Sequence, residues 1–504
     1  MVTADIKNQV DYKTFLDNYK AKLKSAFYER DSIDRFALKR NFPPVVWREI
    51  MSANPLSVSV PSEYGGRGVK VKECLGMLAA SSYESLALSL TFGINFALFL
   101  EPVAKYGQEE IKGPIFERFM NKQNMGGLAI TEPDYGSDAL NMQTYHTFKN
   151  GKYKIEGIKH WQGLTGIADY WLMTCRKKSE SGVLGRDIDF FITDEQVPSQ
   201  QLEVLELYNN LGLYHIPYGL NKVDIEVPEN QKLIPETTGL KLMMDLLHRS
   251  RLQFPGMGMG FLERMLDEAI KQTTTRIVGG KSLLELDKIK HQVSTIQSAY
   301  VICSAMCHRS SQFSGIDNNV AGDAVEANSM KAYVTDLMQE ASQTVLQLGG
   351  ANGYKAESFG ARGLVDSRPF RIFEGSNAML YTQISEMILK IMGRKKITNL
   401  FEYLQTFEIT KNATDYYKVL INFDVDSNLS QRRHVDLGKI IARLVCANHI
   451  INMGNDGFRP DLIKASLETI KHEITMLVSS YRNFSSVDPI VDYKDDSSWL
   501  EFVK

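Results

Sequence analysis

Cysteine is scarce, with five thiols in 504 residues (Cys74, Cys175, Cys303, Cys307 and Cys446), odd in number, scattered and mostly set near apolar neighbours. This argues against a disulfide framework and fits buried thiols in a reducing, cytoplasmic setting. Excess charge of either sign is also missing. Fifty-eight basic and sixty acidic side chains give a formal net charge of −2, so no global field draws the chain to nucleic acid or to an anionic membrane. Cys303, Cys307 and His308 fit neither C-x-x-C-H nor a zinc pattern, and no metal site is expected. The first fifteen residues lack an apolar leader core and carry Asp5 and Asp11, which argues against a targeting peptide. No apolar run of about 18–20 residues follows, so no membrane span is expected. The phosphate loop G-x-x-x-x-G-K-[ST], the zinc pair H-E-x-x-H and the nucleophile motif G-x-S-x-G are absent as well.

What remains is ordinary globular material in a chain too long for one core. Apolar residues make up 43% and charged residues 23%, enough to build several domains. From Tyr12 to about Met125 apolar residues recur at helical spacing, interrupted by the turn-rich Pro61–Gly68. Near Leu128 the period changes to two. Tyr145 and Thr147, then Asn150-Gly151, then Tyr153 and Ile155 predict a hairpin closed by an Asn-Gly turn. Further strands are expected over 170–175, 189–193 and 223–227. Helical periodicity returns from Leu240 to about Met392, broken at Gly349–Gly353 and at Glu374-Gly375-Ser376, and a last helical region follows Lys396. The expected fold is α+β, with a helical domain (1–125), a β-barrel-like domain (126–235), a helix bundle (236–396) and a helical extension (397–504). In the extension, Leu437, Ile440, Ile441, Leu444 and Val445 form an apolar stripe that predicts packing.

Several segments invite chemistry. Thr131–Asp138 (TEPDYGSD) is a turn-rich loop with small hydroxyls and a glycine, able to bring N–H groups against a ring or phosphate, or to be only a strand-end turn. Trp161 is followed closely by glycines that permit approach of a planar partner, although such a tryptophan commonly belongs to a core. Gly256-Met-Gly-Met-Gly260 follows helical rather than strand spacing, so it reads as close helix packing and not as a dinucleotide fingerprint. Glu374 is a charge among apolar neighbours in Arg371–Leu380 (RIFEGSNAML); taken alone, it would read as a solvated glutamate.

In their order and spacing these segments resemble the acyl-CoA dehydrogenase family over about residues 30–395. The resemblance is carried by Val60–Gly66 (VPSEYGG), Gly107–Lys112 (GQEEIK), Ala129–Asp138 (AITEPDYGSD), Gly157–Trp161 (GIKHW), Gln347–Tyr354 (QLGGANGY) and Ile372–Ser376 (IFEGS). It implies an FAD-dependent enzyme that desaturates an acyl thioester, carried by coenzyme A or acyl carrier protein. Glu374 would remove the α-proton, and its backbone N–H would help receive charge on the thioester oxygen. Ile130, Thr131 and Trp161 would lie along the flavin, with Gly136 and Ser137 near the cofactor or thioester. Arg276, Gln292 and Ser376 would hold FAD, and Gln347, Gly350 and Gly353 would approach the FAD of a neighbouring subunit, implying a homodimer or homotetramer. Arg251, Phe373 and Gly375 would border the substrate, while Phe373 and Ile372 would exclude water from Glu374. Ser250 occupies the helix position that supplies the base in isovaleryl- and long-chain-type members. An electron-transfer flavoprotein is the implied acceptor.

The sequence also departs from the family pattern. Gly163 stands where a flavin-bonding Thr or Ser is usual, leaving Thr165 as a substitute only if the loop is rearranged. Arg276 and Gln292 are several residues further apart than usual, Ala351 interrupts the glycine-rich segment, and Val365 replaces an arginine. Rival functions on the same fold are an oxidase using oxygen and an alkylation-response-type DNA-binding protein. Residues 401–504 carry twelve basic and fifteen acidic side chains, a balance of −3 unsuited to phosphate.

Overall fold

Helix α1 (Tyr12–Lys24) begins under an Asp11 cap whose carboxylate accepts the Thr14 N–H. The computed structural model describes residues 10–496, except 31, 34–37, 427, 484 and 486, together with residue 502. The N-terminal helices continue with α2 (Pro44–Met51), α3 (Val71–Glu84), α4 (Leu86–Asn95), α5 (Glu101–Tyr106) and α6 (Glu109–Lys122). Contrary to the sequence expectation, Leu86–Tyr106 is long and apolar enough to cross a bilayer, but its most apolar window is entirely buried in the protein. It is a core helix that packs against the bundle.

The middle region is a curled half-barrel. It comprises β1 (Gly126–Ala129), β2 (Tyr145–Lys149), β3 (Lys152–Gly163), β4 (Tyr170–Lys177), β5 (Asp189–Asp194), β6 (Glu203–Leu207) and β7 (Tyr218–Pro228). The strand order is β1-β4-β2-β3-β7-β6, with β5 added to β4. The expected hairpin is present: Lys149 pairs with Lys152, and Asn150 and Gly151 both take the positive φ of a type I′ turn, 54° and 74°. Register in β3 slips between His160 and Gln162, leaving Trp161 outside the β7 pairing at φ 58°. Such a bulge re-aims a side chain. Strand β6 gave no sequence signal because all five of its residues are exposed and no alternation marks a core face.

The bundle is built on α7 (Gly239–Thr275), followed by the short hairpin β8 (Ile277–Val278) and β9 (Lys281–Ser282), then α8 (Asp287–Phe313), α9 (Ala324–Leu348), α10 (Phe359–Ser367) and α11 (Asn377–Lys395). The three glycines of the 256–260 segment are sites of close approach. A Cβ would lie 3.0 Å from the Leu75 carbonyl at Gly256, 2.2 Å from Val334 at Gly258 and 1.8 Å from the Ala79 carbonyl at Gly260. They let α3 and α9 pack onto α7, which fixes the helix that carries Ser250 and Arg251. The extension adds α12 (Leu400–Leu404), α13 (Lys411–Ile421), α14 (Gln431–Asn455) and α15 (Pro460–Arg482). The expected stripe of α14 is fully buried and belongs to the same apolar core as the bundle.

Candidate active site

Glu374 sits in the turn between α10 and α11, and its backbone takes φ 52°, followed by Gly375 at 93°. A left-handed conformation costs a non-glycine residue about 1–2 kcal/mol, so surrounding contacts must hold it. Two buried cations supply them. Arg251 on α7 donates to the Glu374 carbonyl through Nη2 at 2.8 Å and Nε at 3.2 Å, while its Nη1 reaches Asn328 at 2.7 Å. Lys331 on α9 donates to the Gly375 carbonyl at 2.8 Å and to Asn377 Oδ1 at 3.2 Å. Arg251, matched by resemblance to the substrate border, directs two of these donors at the Glu374 carbonyl.

The Glu374 carboxylate points inward. Ser250 Oγ donates to Oε1 at 2.9 Å, across 124 residues of sequence. The second oxygen, Oε2, is buried without a hydrogen-bond partner. The residue as a whole is half-buried, but a buried Oε2 means that its exposed area lies elsewhere on the residue. Burial raises this carboxyl above its ordinary range, opposed by Arg251, the Ser250 hydroxyl and Lys331. Burial likewise draws the Lys331 ammonium well below a solvated lysine, opposed first by the Glu374 charge. Phe373 packs against Phe254 and Phe370, with ring centroids 6.1 and 4.9 Å away. Ile372, expected to share in the shielding, is 57% exposed.

The Ile130–Thr131 segment is lashed to β3. The His160 N–H donates to the Thr131 carbonyl at 2.9 Å, and Lys159 Nζ donates to the Ile130 carbonyl at 2.9 Å and to Glu132 at 3.0 Å. Trp161 beside them is half-exposed, with its ring 4.6 Å from Tyr208 and 5.9 Å from Tyr218. Gly136 and Ser137 lie in an exposed turn, and a Cβ at Gly136 would meet nothing within 4 Å. At the usual flavin-bonding position, a Cβ on Gly163 would come within 2.9 Å of the Ile94 side-chain tip. Thr165 is no substitute, since its buried hydroxyl donates to the Gln162 carbonyl at 2.8 Å and accepts from Asn221 at 3.2 Å.

A second cluster forms where Arg276 meets Gly350, whose φ is 56° and whose Cβ position lies 3.0 Å from Arg276 Nη1. Gln292 is half-buried on the first turns of α8, and Gln347 is exposed at the end of α9. Gly353 has a packing reason of its own, because a Cβ there would meet the Leu346 carbonyl at 2.1 Å. Ser376 is the residue before α11 and accepts the Leu380 N–H at 3.0 Å.

Sequence reasoning missed Lys331. Its signal was a lone charge in Ala327–Val334 (ANSMKAYV), but the partner carbonyl lies 44 residues away in sequence.

These surfaces suit a flavin dinucleotide: an aromatic edge at a strand bulge, an open glycine turn, a guanidinium against a glycine in the left-handed region, and a buried carboxylate oxygen with nothing to bond. The class so defined is that of flavin-dependent oxidoreductases. Three family models match in order, namely the acyl-CoA dehydrogenase N-terminal domain over residues 24–123, the middle domain over 127–223 and the C-terminal domain over 237–389. The chain belongs to the acyl-CoA dehydrogenase family, FAD-dependent oxidoreductases that act on the CH–CH bond of an acyl thioester. It is 25% identical over 353 residues to an acyl-CoA dehydrogenase of Bacillus subtilis, covering 69% of this chain and 90% of that one. It is 26% identical over 370 residues to a probable acyl-CoA dehydrogenase of Mycobacterium tuberculosis, covering 69% of this chain but only 55% of that longer protein. The fold is similar to the acyl-CoA dehydrogenase of Bacillus anthracis complexed with FAD, with TM-score 0.75 at 16% identity, covering 94% of this chain and 88% of that one. That coverage extends past residue 389, where the family models end.

Proposed function

We propose that Glu374 is the base that removes the α-proton of the acyl thioester. The observation that carries this reading is the buried, unpartnered Oε2 of a carboxylate whose other oxygen is held by Ser250. A carboxylate in water is a weak base, and burial that raises its pKa matches it better to the proton it takes. Ser250 orients the carboxylate. Arg251 and Lys331 hold the carbonyls of Glu374 and Gly375, fixing the turn that presents both the side chain and the Glu374 N–H. By family resemblance, that N–H donates to the thioester oxygen as negative charge develops on it. Phe373 and Gly375 border the acyl group, with Ser137 toward the thioester.

Ile130, Thr131 and Trp161 would flank the flavin, with Gly136, Ser137, Arg276, Gln292 and Ser376 along the rest of FAD. Gln347, Gly350 and Gly353 would face a second copy of the chain, in a dimer or tetramer. FAD supplies the hydride acceptor when bound. An electron-transfer flavoprotein is the proposed acceptor of the electrons, and an oxygen-consumption assay separates this route from an oxidase. The carrier is coenzyme A or acyl carrier protein.

Glu374→Gln tests the base. The amide preserves size and the backbone donor, so FAD and acyl thioester binding should persist. Stopped-flow bleaching of the flavin should slow by about 10²–10⁴-fold, about 3–5 kcal/mol of barrier. Bleaching near the wild-type rate would remove Glu374 from the mechanism.

A further inference from the structure

Resting on the reading of Glu374 as the base, we infer that the C-terminal extension positions the catalytic turn, with Arg443 as a positioning residue that acts through a buried hydrogen-bond chain ending at Lys331. The chain starts on α14 and α15. Arg443 Nε pairs with Glu473 at 3.0 Å, its guanidinium lies 4.0 Å over the Tyr333 ring, and its Nη1 donates to the Tyr381 hydroxyl at 3.1 Å. Tyr381, on α11, donates to Asp336 Oδ2 at 2.8 Å. Asp336 Oδ1 accepts from Asn377 Nδ2 at 2.9 Å and pairs with Arg371 at 2.7 Å. Asn377 Oδ1 accepts from Lys331 Nζ, which also donates to the Gly375 carbonyl. Arg443, Tyr381, Asp336, Asn377 and Lys331 are all buried, so solvent does not screen the series.

A second feature points the same way. Gly438 on α14 lies against Tyr381, where a Cβ would come within 1.9 Å of the Tyr381 carbonyl. Only a residue without a side chain lets α14 sit this close to α11, within reach of Arg443 to the tyrosine hydroxyl. Asp336 is the branching point, since it meets both Arg371 at the start of the catalytic turn and Asn377 at its end. Two sides of the turn are therefore tied to one carboxylate whose own geometry is set by Tyr381 and, through it, by the extension.

The charged groups around Lys331 are Glu374 and Arg371 of the turn, Arg251 of α7 and Asp336 of its own helix. Around Arg443 they are Glu473 and Asp336, with Tyr381 and Tyr333. Glu340 stands near both Glu473 and Arg443, its carboxyl pushed up to about 7 by burial and then by the Glu473 charge. Loosening this series moves the Lys331 charge relative to Glu374 and weakens a contact that lowers the Glu374 pKa. The acid limb of the rate profile then moves to higher pH.

The test uses the full-length holoenzyme and measures flavin reduction by a saturating acyl thioester across pH, alongside FAD content, thioester Kd and melting temperature. Arg443→Met and the milder Tyr381→Phe should each slow reduction by roughly three- to thirtyfold, the range for mutations along a coupled network. Both should shift the acid limb upward, leaving FAD content and Kd near wild type. Lys331→Met should shift the limb in the same direction and further. Arg443→Lys should recover part of the rate, because it keeps a cation beside Glu473 and Tyr381. In a Glu374→Gln background Arg443→Met should slow the residual rate little, since there is no base left to position. Variants that melt earlier but keep the wild-type rate and pH profile would overturn the proposal and leave the extension as packing alone. A Glu374→Gln enzyme of normal rate would instead overturn the reading of the base. Should Arg443→Met fail to fold, Tyr381→Phe gives the same decision without burying an unpaired charge.

Discussion

Glu132 and Glu374 are both glutamates with buried carboxylate oxygens and a fully buried lysine nearby, and their surroundings drive them in opposite directions. Glu132 faces Lys159 directly at 3.0 Å and also accepts the N–H groups of Gln143 and Thr144. Burial would raise its pKa, but the Lys159 charge and these donors outweigh burial and hold it below the ordinary range. At Glu374 the nearby Lys331 instead bonds the Gly375 carbonyl, and one carboxylate oxygen is left unpartnered, so burial prevails. The same residue types make a structural pin in one place and, in the proposed mechanism, a base in the other. The difference lies in where the lysine and the N–H donors point.

The largest expected effect in breaking this comparison comes from Lys159→Met, which strands the Glu132 charge in a dry site. Removing one member of a buried pair costs about 3–5 kcal/mol. The variant should melt well below wild type and lose FAD readily, because the Ile130 carbonyl is released as well. A melting curve like that of wild type would show that Lys159 does not pin the loop.

A sharper contrast is between two conservative substitutions. A carboxyl raised in the folded state binds its proton more tightly there, so above its unfolded pKa an ionised Glu374 costs stability. Glu374→Gln should therefore melt at or above the wild-type temperature at neutral pH while losing most of its activity. Glu132 has the opposite sign. Its lowered pKa contributes stability that is present above the unfolded value and lost as pH falls through the folded one. Glu132→Gln should melt lower at neutral pH and converge with wild type in acid. Equal melting shifts in the two variants would erase the distinction between pin and base.

A smaller effect belongs to Ser250→Ala. It removes a donor to the charged carboxylate, so the acid limb of the rate should move up in pH, with a loss of at most roughly ten- to hundredfold on the plateau for a charge-assisted bond of about 1.5–3 kcal/mol. A downward shift would show that the hydroxyl does not bond the ionised form.

Much of this arrangement was legible in the sequence where the cause is local. The Asn150-Gly151 turn, the glycines of 256–260 and the break at Glu374 follow from backbone sterics within a few residues. The grouping of Ile130, Thr131, Trp161 and Glu374 into one site rests on the order of motifs and the family resemblance. Long-range partners were not legible: Lys331 meets Gly375, and Arg443 meets Tyr381, only after several helices have packed. Exposure was also hidden. Ile372 is apolar and close in sequence to Glu374, yet it is exposed, while the apolar stretch Leu86–Tyr106 is core because other helices surround it. Gly163 showed a missing hydroxyl, but only packing shows that the Ile94 side chain lies beside it.

The central claim is that Glu374 acts as a buried base with a raised pKa, and the most direct measurement is the pH dependence of wild-type flavin reduction in the stopped flow. The rate should rise with pH along a limb lying above the ordinary carboxylate range, as the Glu374 proton is lost, and Glu374→Gln should lack that limb and stay slow throughout. A limb within the ordinary carboxylate range, or one that survives unchanged in Glu374→Gln, would contradict the account.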